Sequence, residues 1–365
     1  MIPDPPDTTS RTLSQPPVKR TPMNTTPIST QSTTDGPTPP ATTMRAVVGR
    51  SYGSPDLLAV ETVDRPAVGD GDVLVRVRAA GLDQGVWHTV TGLPYGIRAA
   101  GFGLRAPKNP VPGLDLAGTV AAVGRDVTRF QIGDAVFGTG AGAYAEYATT
   151  SETNLAAKPP NVTFEEAAAT PASATAALQA LRDVGHVRAG QRVLVIGAGG
   201  GVGTFAVQLA TAYGAEVTGV CSTSKVELVR SLGAHDVIDY TREDITDRSV
   251  RYDVVVDTGG DRSVALLRAA LTPTGTLVIV GGEGGGQLLG LSRQLQAIAL
   301  SPWVRQRLGT VFSRPRPADL DLLATMLRDG RVVPAVDRTY TLDELPAGIR
   351  HLRAGRARGK VVIVV

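Results

Sequence analysis

The stretch Val193-Leu194-Val195-Ile196-Gly197-Ala198-Gly199-Gly200-Gly201-Val202-Gly203 carries the strongest chemical signal in the sequence. An apolar β-branched run opens into glycines and then into the Ala- and Val-rich segment 201–213. Glycine lets a strand turn sharply into a helix. It also lets a pyrophosphate reach the helix N-terminus, where free N–H groups and the macrodipole favour an anion. A glycine run alone is equally a plain structural turn. Its place between a strand and a helix, within a strand–helix–strand pattern, points to a dinucleotide. The expected contacts are Gly197, Ala198, Gly200, Gly201, Val202 and Gly203.

An NAD site usually offers a carboxylate about 20 residues further on, where the second strand ends, to hold the ribose 2′-hydroxyl. Here that strand ends Val220-Cys221-Ser222-Thr223-Ser224-Lys225, with no acid before Glu227. The hydroxyls of Ser222, Thr223 and Ser224 with Lys225 suit a 2′-phosphate, so NADPH is the expected cofactor. The plainer alternative is an N-cap serine beside a solvated lysine. Asp257-Thr258-Gly259-Gly260 and Val280-Gly281-Gly282 end two later strands. Ligands of open α/β sheets bind beyond the carboxyl ends of strands, so Asp257, Gly259, Val280, Gly281 and Gly282 are expected to line the cofactor.

The elements that must hold these residues fit a chain of 365 residues and two domains. Residues 1–43, dominated by Thr, Pro and Ser, cannot bury enough surface to offset their ordering entropy and read as a disordered tail without secretory-signal features. Met44 is the expected functional start. From 44 to 165 the pattern is strand-rich, with Asp72–Val77 alternating, Thr119–Val123 β-branched and helices hard to find. From 166 to 310 strands and helices alternate, which argues a doubly wound parallel sheet. The expected helices include Phe164–Arg182, Ser224–Leu232 and Arg262–Leu271. Residues 311–365 hold a helix-like Ala318–Leu327 and a final strand Lys360–Val365, expected to return to the first domain. The fold class is α/β.

Composition excludes several functions. No apolar run reaches the ~18 residues of a membrane span. The net charge of +3 is too small to make an electrostatic footprint for nucleic acid. Cys221, the single cysteine, permits neither an intramolecular disulfide nor a cysteine zinc site, and four scattered histidines make no His-only metal centre. His186, His235 and His351 read as surface, and the Arg-rich stretch Arg350–Lys360 as a solvated face. A cytoplasmic location is expected.

These residues together resemble the medium-chain dehydrogenase/reductase superfamily, in its zinc-independent, quinone-oxidoreductase-like branch. The resemblance runs from Met44 to Val365. It rests on Gly113-Leu114-Asp115-Leu116-Ala117-Gly118, Gly133-Asp134-Ala135-Val136, Gly142-Ala143-Tyr144-Ala145-Glu146-Tyr147, Pro171 with Thr175-Ala176, Gly190-Gln191, the glycine loop and Gln208. It implies a GroES-like catalytic domain (44–165 with 311–365), a Rossmann domain (166–310), a cofactor in the cleft between them, and a homodimer formed through the Rossmann domain. Zinc-dependent members carry Gly-His-Glu where this chain has Gly113-Leu114-Asp115 and a cysteine near Asp83. The resemblance therefore implies a protein without a metal. Thr175 matches the family threonine near the nicotinamide half of the cofactor, against a plain helix-internal Thr.

Without a metal, such a protein must hold nicotinamide C4 against an electrophilic carbon and stabilise the oxyanion that forms, which suits quinones and α,β-unsaturated carbonyls. Gly81-Leu82-Asp83-Gln84-Gly85-Val86-Trp87-His88 matches the family's substrate-facing strand–loop. Relatives usually show Asn at position 83 and Asp at 86, where this chain has Asp83 and Val86. The catalytic candidates are Asp83, His88 as proton donor and Trp87 as a stacking platform. A structural His88 and a core Trp87 stay open beside those roles. Asp115 reads as a turn-stabilising carboxylate. Segment 283–316 fits a lid, a substrate wall or a dimer contact. The expected activity is NADPH-dependent hydride transfer to a quinone or conjugated carbonyl. The alternatives are an alcohol dehydrogenase or carbonyl reductase of the same fold, and a non-catalytic NADPH-binding redox sensor.

Overall fold

Residues 42–260, 262–281 and 292–365 are described by the computed structural model. The expected tail thus lies outside the described residues save for Thr42 and Thr43, and Thr43 already opens the first strand. Gly282 and residues 283–291 also lie outside them.

The first domain begins with β1 (Thr43–Val48) and β2 (Ala59–Asp64), an antiparallel pair. Its main sheet starts with β3 (Asp72–Leu82), where Val73, Val75 and Val77 are buried while Arg76 and Arg78 face water, the period-2 pattern of a half-buried strand. A helix the sequence reading did not foresee follows, α1 (Gln84–Thr91). Gly85, Val86, Trp87 and two threonines are poor helix formers, so local propensity hides it. Gly92 at φ +66 ends it, donating its N–H to the His88 carbonyl, as a left-handed C-terminal glycine does.

The sheet continues with β4 (Asp115–Val123), β5 (Ala135–Thr139), β6 (Tyr147–Ser151) and β7 (Leu155–Ala157). The expected helix 164–182 is broken by Pro171 into α2 (Phe164–Ala168), opened by a Thr163/Glu166 capping box, and α3 (Pro171–Gln179), continued by a π-helical turn to Val184.

The second domain alternates as expected: β8 (Arg192–Ile196), α4 (Gly201–Ala212), β9 (Glu216–Cys221), α5 (Val226–Ser231), β10 (Asp236–Asp239), β11 (Tyr252–Asp257), α6 (Val264–Ala269), β12 (Leu271–Val280), α7 (Ser292–Leu300) and β13 (Arg307–Val311). Among the described residues these strands form a parallel sheet in the order β10-β9-β8-β11-β12-β13. The order reverses at β8, so the crevice beyond the carboxyl ends of β8 and β11 is where such a sheet takes its ligand.

The chain then passes through α8 (Pro317–Arg328), β14 (Val336–Thr341), α9 (Leu345–Arg353) and β15 (Lys360–Val364). β15 pairs antiparallel with β3, Val361 opposite Leu82, so the C-terminus completes the first domain's sheet. Separate buried clusters serve the two sheets. Val75, Leu116, Tyr144 and Ile363 belong to one, and Val195, Phe205, Val256 and Val278 to the other. Among the described residues no helix is long and apolar enough to cross a membrane.

Candidate active site

The glycine loop folds for steric reasons visible position by position. Gly197 sits at φ +77, and a Cβ on Gly203 would lie 2.1 Å from the Gly197 carbonyl oxygen. Only glycine lets the two cross there. No side chain caps the start of α4, which leaves the N–H groups of Gly201, Val202 and Gly203 as its opening donors. The first two face a cleft of about 1360 Å³. Gly197, Gly200, Gly201 and Val202 line it, with Gly199 beside them. Ala198 and Gly203 do not line it. Ala198 is fully buried, and its N–H is held by the Val220 carbonyl.

At the end of β9, Cys221, Ser222 and Lys225 line the cleft. Lys225 is not the solvated lysine of the plainer reading. Its stem lies over the loop, so a Cβ on Gly199 would come within 2.8 Å of Lys225 Cβ, and its ammonium donates to the Gly355 carbonyl at 3.0 Å. Burial pulls its pKa down. Thr223 and Ser224 are off the cleft wall, and the Thr223 hydroxyl is committed to the Asp239 carboxylate at 2.6 Å. Tyr240 and Arg262, which the sequence reading missed, line the same end, the guanidinium 5.9 Å from the ring centroid.

The later strand ends contribute less than expected. Thr258 and Gly259 line the cleft, but Asp257 is paired with Arg293 and holds the Gly259 and Gly260 N–H groups. It is therefore a structural anchor. Val280 is buried, and Gly281 gives its carbonyl to Gln294 at 2.9 Å, neither reaching the cleft wall. Thr175 is buried in α3, also off the wall, and its hydroxyl has no hydrogen-bond partner among the described residues. Ala172 and Ser173 of that helix do reach the cleft.

Of the three catalytic candidates only Asp83 lines the cleft. It stands at the N-cap of α1, yet its carboxylate does not cap the helix. The carboxylate instead accepts from Ser173 Oγ at 2.9 Å and from the Lys360 ammonium. His88, one helical turn on, donates Nδ1–H to the Leu93 carbonyl at 2.7 Å and lies outside the cleft wall. Trp87 is half-buried with the Arg353 guanidinium 4.8 Å above its ring and is likewise off the wall. Imidazole chemistry suggested His88, but the pitch of an unforeseen helix turns it away.

Lys360, read from sequence as part of a solvated face, is 1% exposed. Its ammonium donates to Asp83 and to Ser173 Oγ at 3.0 Å, and lies 4.0 Å from Asp115 Oδ2. Asp115 is fully buried, and both its oxygens accept the Ala172 N–H at 3.1 Å. Burial first, then the charge of Asp83, pushes the Asp115 carboxyl well above the usual carboxylate range. Burial would raise Asp83 too, but Lys360 and its hydrogen bonds outweigh that and hold it low. His351 is also more enclosed than expected, bonded through Nε2 to Asp337 at 2.8 Å.

Among the described residues no three His, Cys, Asp or Glu side chains converge as a ligand set, and an ammonium stands between Asp83 and Asp115. Across the cleft, Leu57, Phe102 and Leu114 expose apolar surface into the mouth.

Comparison with known proteins agrees with this architecture. Residues 69–160 match the alcohol dehydrogenase GroES-like domain family, and residues 232–363 the zinc-binding dehydrogenase family. The chain is 32% identical over 347 residues to the 2-methylene-furan-3-one reductase of Solanum lycopersicum, covering 88% of this chain and 79% of that one. It is 34% identical to the chloroplastic NADPH-dependent alkenal/one oxidoreductase of Arabidopsis thaliana, covering 80% and 79% respectively. The quinone oxidoreductase of Coxiella burnetii superposes with a TM-score of 0.78 at 27% identity, covering 88% of this chain and 99% of that one.

Proposed function

The chain belongs to the medium-chain dehydrogenase/reductase superfamily, in its quinone-oxidoreductase-like branch, and is an NAD(P)H-dependent oxidoreductase; from that premise we propose that it uses NADPH, without a metal, to reduce a quinone or an α,β-unsaturated carbonyl compound. One observation carries the reading. A single cleft is lined by the uncapped start of α4, a basic and hydroxylic end, a polar Asp83/Ser173/Lys360 wall and an apolar mouth.

The residues fit the cofactor. The donors at Gly201 and Val202 suit its pyrophosphate, and glycine at 199 and 201 keeps that surface free of side chains. Lys225, Ser222, Tyr240 and Arg262 would hold the 2′-phosphate, with the lysine giving up Gly355 for a full negative charge. The buried Thr175 hydroxyl, without a partner among the described residues, lies behind Ala172 and Ser173 of the same helix and would reach the cofactor only if the wall shifted. When bound, the nicotinamide supplies a hydride to an electrophilic carbon.

This chain's own part is orientation and proton handling. Leu57, Phe102 and Leu114 exclude water from the acceptor's apolar body. Ser173 Oγ, accepting from Lys360 and donating to Asp83, fixes the Asp83 carboxylate at the cleft wall. A homodimer is part of the proposal. Among the described residues β13 lies at an edge of the parallel sheet, and the exposure of Trp303 and Phe312 beside it, 86% and 62%, supports a second copy docking there.

The test is consumption of reduced nicotinamide by metal-stripped protein, NADPH against NADH, with a quinone, an enone and a saturated aldehyde, products identified. NADPH-preferring reduction of the quinone or enone supports the reading. Turnover of the aldehyde alone selects carbonyl reduction, and silence with all three selects the binding-protein alternative.

A further inference from the structure

The Asp83–Lys360–Asp115 cluster contains an odd charge. With a neutral side chain at position 83, Asp115 and Lys360 would neutralise one another. Asp83 adds a second carboxylate and no second cation. All three groups line one wall of the cleft, with the Lys360 and Asp115 side chains at 1% and 0% exposure and Asp83 at 27%. Two carboxylates sharing one ammonium do not both ionise readily, because the second negative charge has no second cation and Asp115 has no exposure to water.

The backbone is shaped to bring the two acids together. Gly81, two residues before Asp83, leaves room for Asp115, since a Cβ there would stand 2.9 Å from Asp115 Cβ and 3.2 Å from its Oδ2. The Lys360 ammonium bridges the two carboxyl groups, donating to Asp83 and lying 4.0 Å from Asp115 Oδ2. The titratable groups facing Asp115 among the described residues are Asp83, Lys360 and Tyr144. Tyr144 is no donor to the pair, since its hydroxyl is committed to the Gly81 carbonyl at 2.9 Å. Burial, then the two acids, also pushes its pKa well up, so it stays protonated.

We propose that Asp83 and Asp115 hold one proton between them, and that this proton is delivered to the oxygen of the reduced acceptor. Asp83 is the catalytic residue at the cleft. Asp115 and Lys360 are positioning residues, the first storing the proton and the second holding the Asp83 carboxylate in place.

The step balances. Reduction of a conjugated acceptor leaves an oxyanion. The stored proton crosses from Asp115 to Asp83 and from Asp83 to that oxygen, so one carboxyl O–H breaks and one acceptor O–H forms. Two carboxylates then surround Lys360, and uptake of one proton from bulk solvent through the cleft restores the resting pair, so each turnover consumes one solvent proton. The logic is that of two acids in unequal environments, one the reservoir and one the donor.

The inference rests on the reading of the site as a reductase, and its test separates the two. The first measurement needs no activity: infrared difference spectra of the free protein at neutral pH, wild type against Asp83→Asn and Asp115→Asn. A protonated-carboxyl carbonyl band in wild type is expected. Asp115→Asn should remove it, and so should Asp83→Asn, because Asp115 then ionises against Lys360 alone. Absence of the band in wild type, or its persistence in Asp83→Asn, overturns the inference.

The second measurement is kcat against pH with the enone or quinone. Wild-type kcat should fall as pH rises through the titration of the pair. Asp83→Asn should lower it by at least about tenfold and flatten the profile while the Kd for NADPH stays within about twofold. An unchanged rate and profile overturns the inference and leaves the reductase reading standing; a wild type silent with every acceptor overturns both. Should Asp115→Asn fail to fold, Asp83→Asn at the cleft surface decides alone.

Discussion

The Lys360 ammonium donates to the Asp83 carboxylate across 277 residues of sequence, which ties the last strand of the chain to the first helix of the catalytic domain. With Lys360 removed, Asp83 keeps its charge and loses its partner. Lys360→Met should cost about 3–5 kcal/mol in denaturant unfolding, the range for a buried ion pair stripped of one member. The double variant Asp83→Asn/Lys360→Met should recover part of that loss. Equal midpoints for the single and double variants would show the charge to be irrelevant.

Lys225 makes a cofactor prediction. Lys225→Ala should weaken NADPH by ~1–3 kcal/mol and NADH far less, the value of a charge-assisted contact to a phosphate. Calorimetric titration with both cofactors reads this directly. Equal losses would remove Lys225 from 2′-phosphate recognition.

The glycine loop predicts steric failure. An added methyl at Gly203 would meet the Gly197 carbonyl at 2.1 Å, and that oxygen is backbone with no room to yield. Gly203→Ala should lower stability by about 1–3 kcal/mol and weaken both nicotinamide cofactors alike. Gly330→Ala is a control for φ strain without crowding, since Gly330 sits at φ +67 with nothing near its Cβ position. Its thermal midpoint should fall with cofactor affinity intact.

A pH dependence follows from Asp183. Its hydrogen bond from Arg182 lowers its pKa, burial opposes this, and the charges of Arg182 and Arg316 add to the lowering. A carboxyl depressed in the folded state stabilises fully above its unfolded value, about pH 4, and the contribution is lost as pH falls through the folded value. The pair is partly solvated, so its worth is under about 1 kcal/mol. Thermal midpoints between about pH 3 and 6 should fall less steeply for Asp183→Asn than for wild type.

Cys221 lines the cleft, yet burial, with Asp239 adding to it, pushes its thiol up to about 11. At neutral pH the thiolate is scarce. Alkylation by iodoacetamide should therefore be much slower than for a free thiol and should speed up only in alkaline solution. Rapid labelling at pH 7 would contradict the burial.

What could be read from the sequence was what is local along it. The glycine loop, the strand ends and the β8–β12 alternation are set by neighbours within a few residues, and each lies close to where the sequence places it, whereas β13 falls in the segment read as a lid, a substrate wall or a dimer contact. Pairings distant in sequence did not. Lys360 sits in an Arg-rich run that resembles a solvated face, and nothing nearby marks it as the partner of Asp83 and Asp115. Asp257 showed the reverse: a strand-end acid in the right place for a ligand is consumed by Arg293, from a helix much later in the chain. His88 was chosen for its pKa range, and α1, made of weak helix formers between Asp83 and Gly92, decides which way it points.

The closing strand also sets an order of events during synthesis. Gly359 donates its N–H to the Gly199 carbonyl, Lys360 then neutralises acids encoded more than two hundred residues earlier, and Val361–Val364 fill the place beside β3. Until residues 360–364 have been made, part of β3 presents an open edge and Asp83 and Asp115 lack their cation. The catalytic domain therefore cannot finish as a nascent unit ahead of the Rossmann domain, although most of it is translated first. Removing residues 360–364 would strip β3 of a partner strand and leave two buried acids without their cation in a single step.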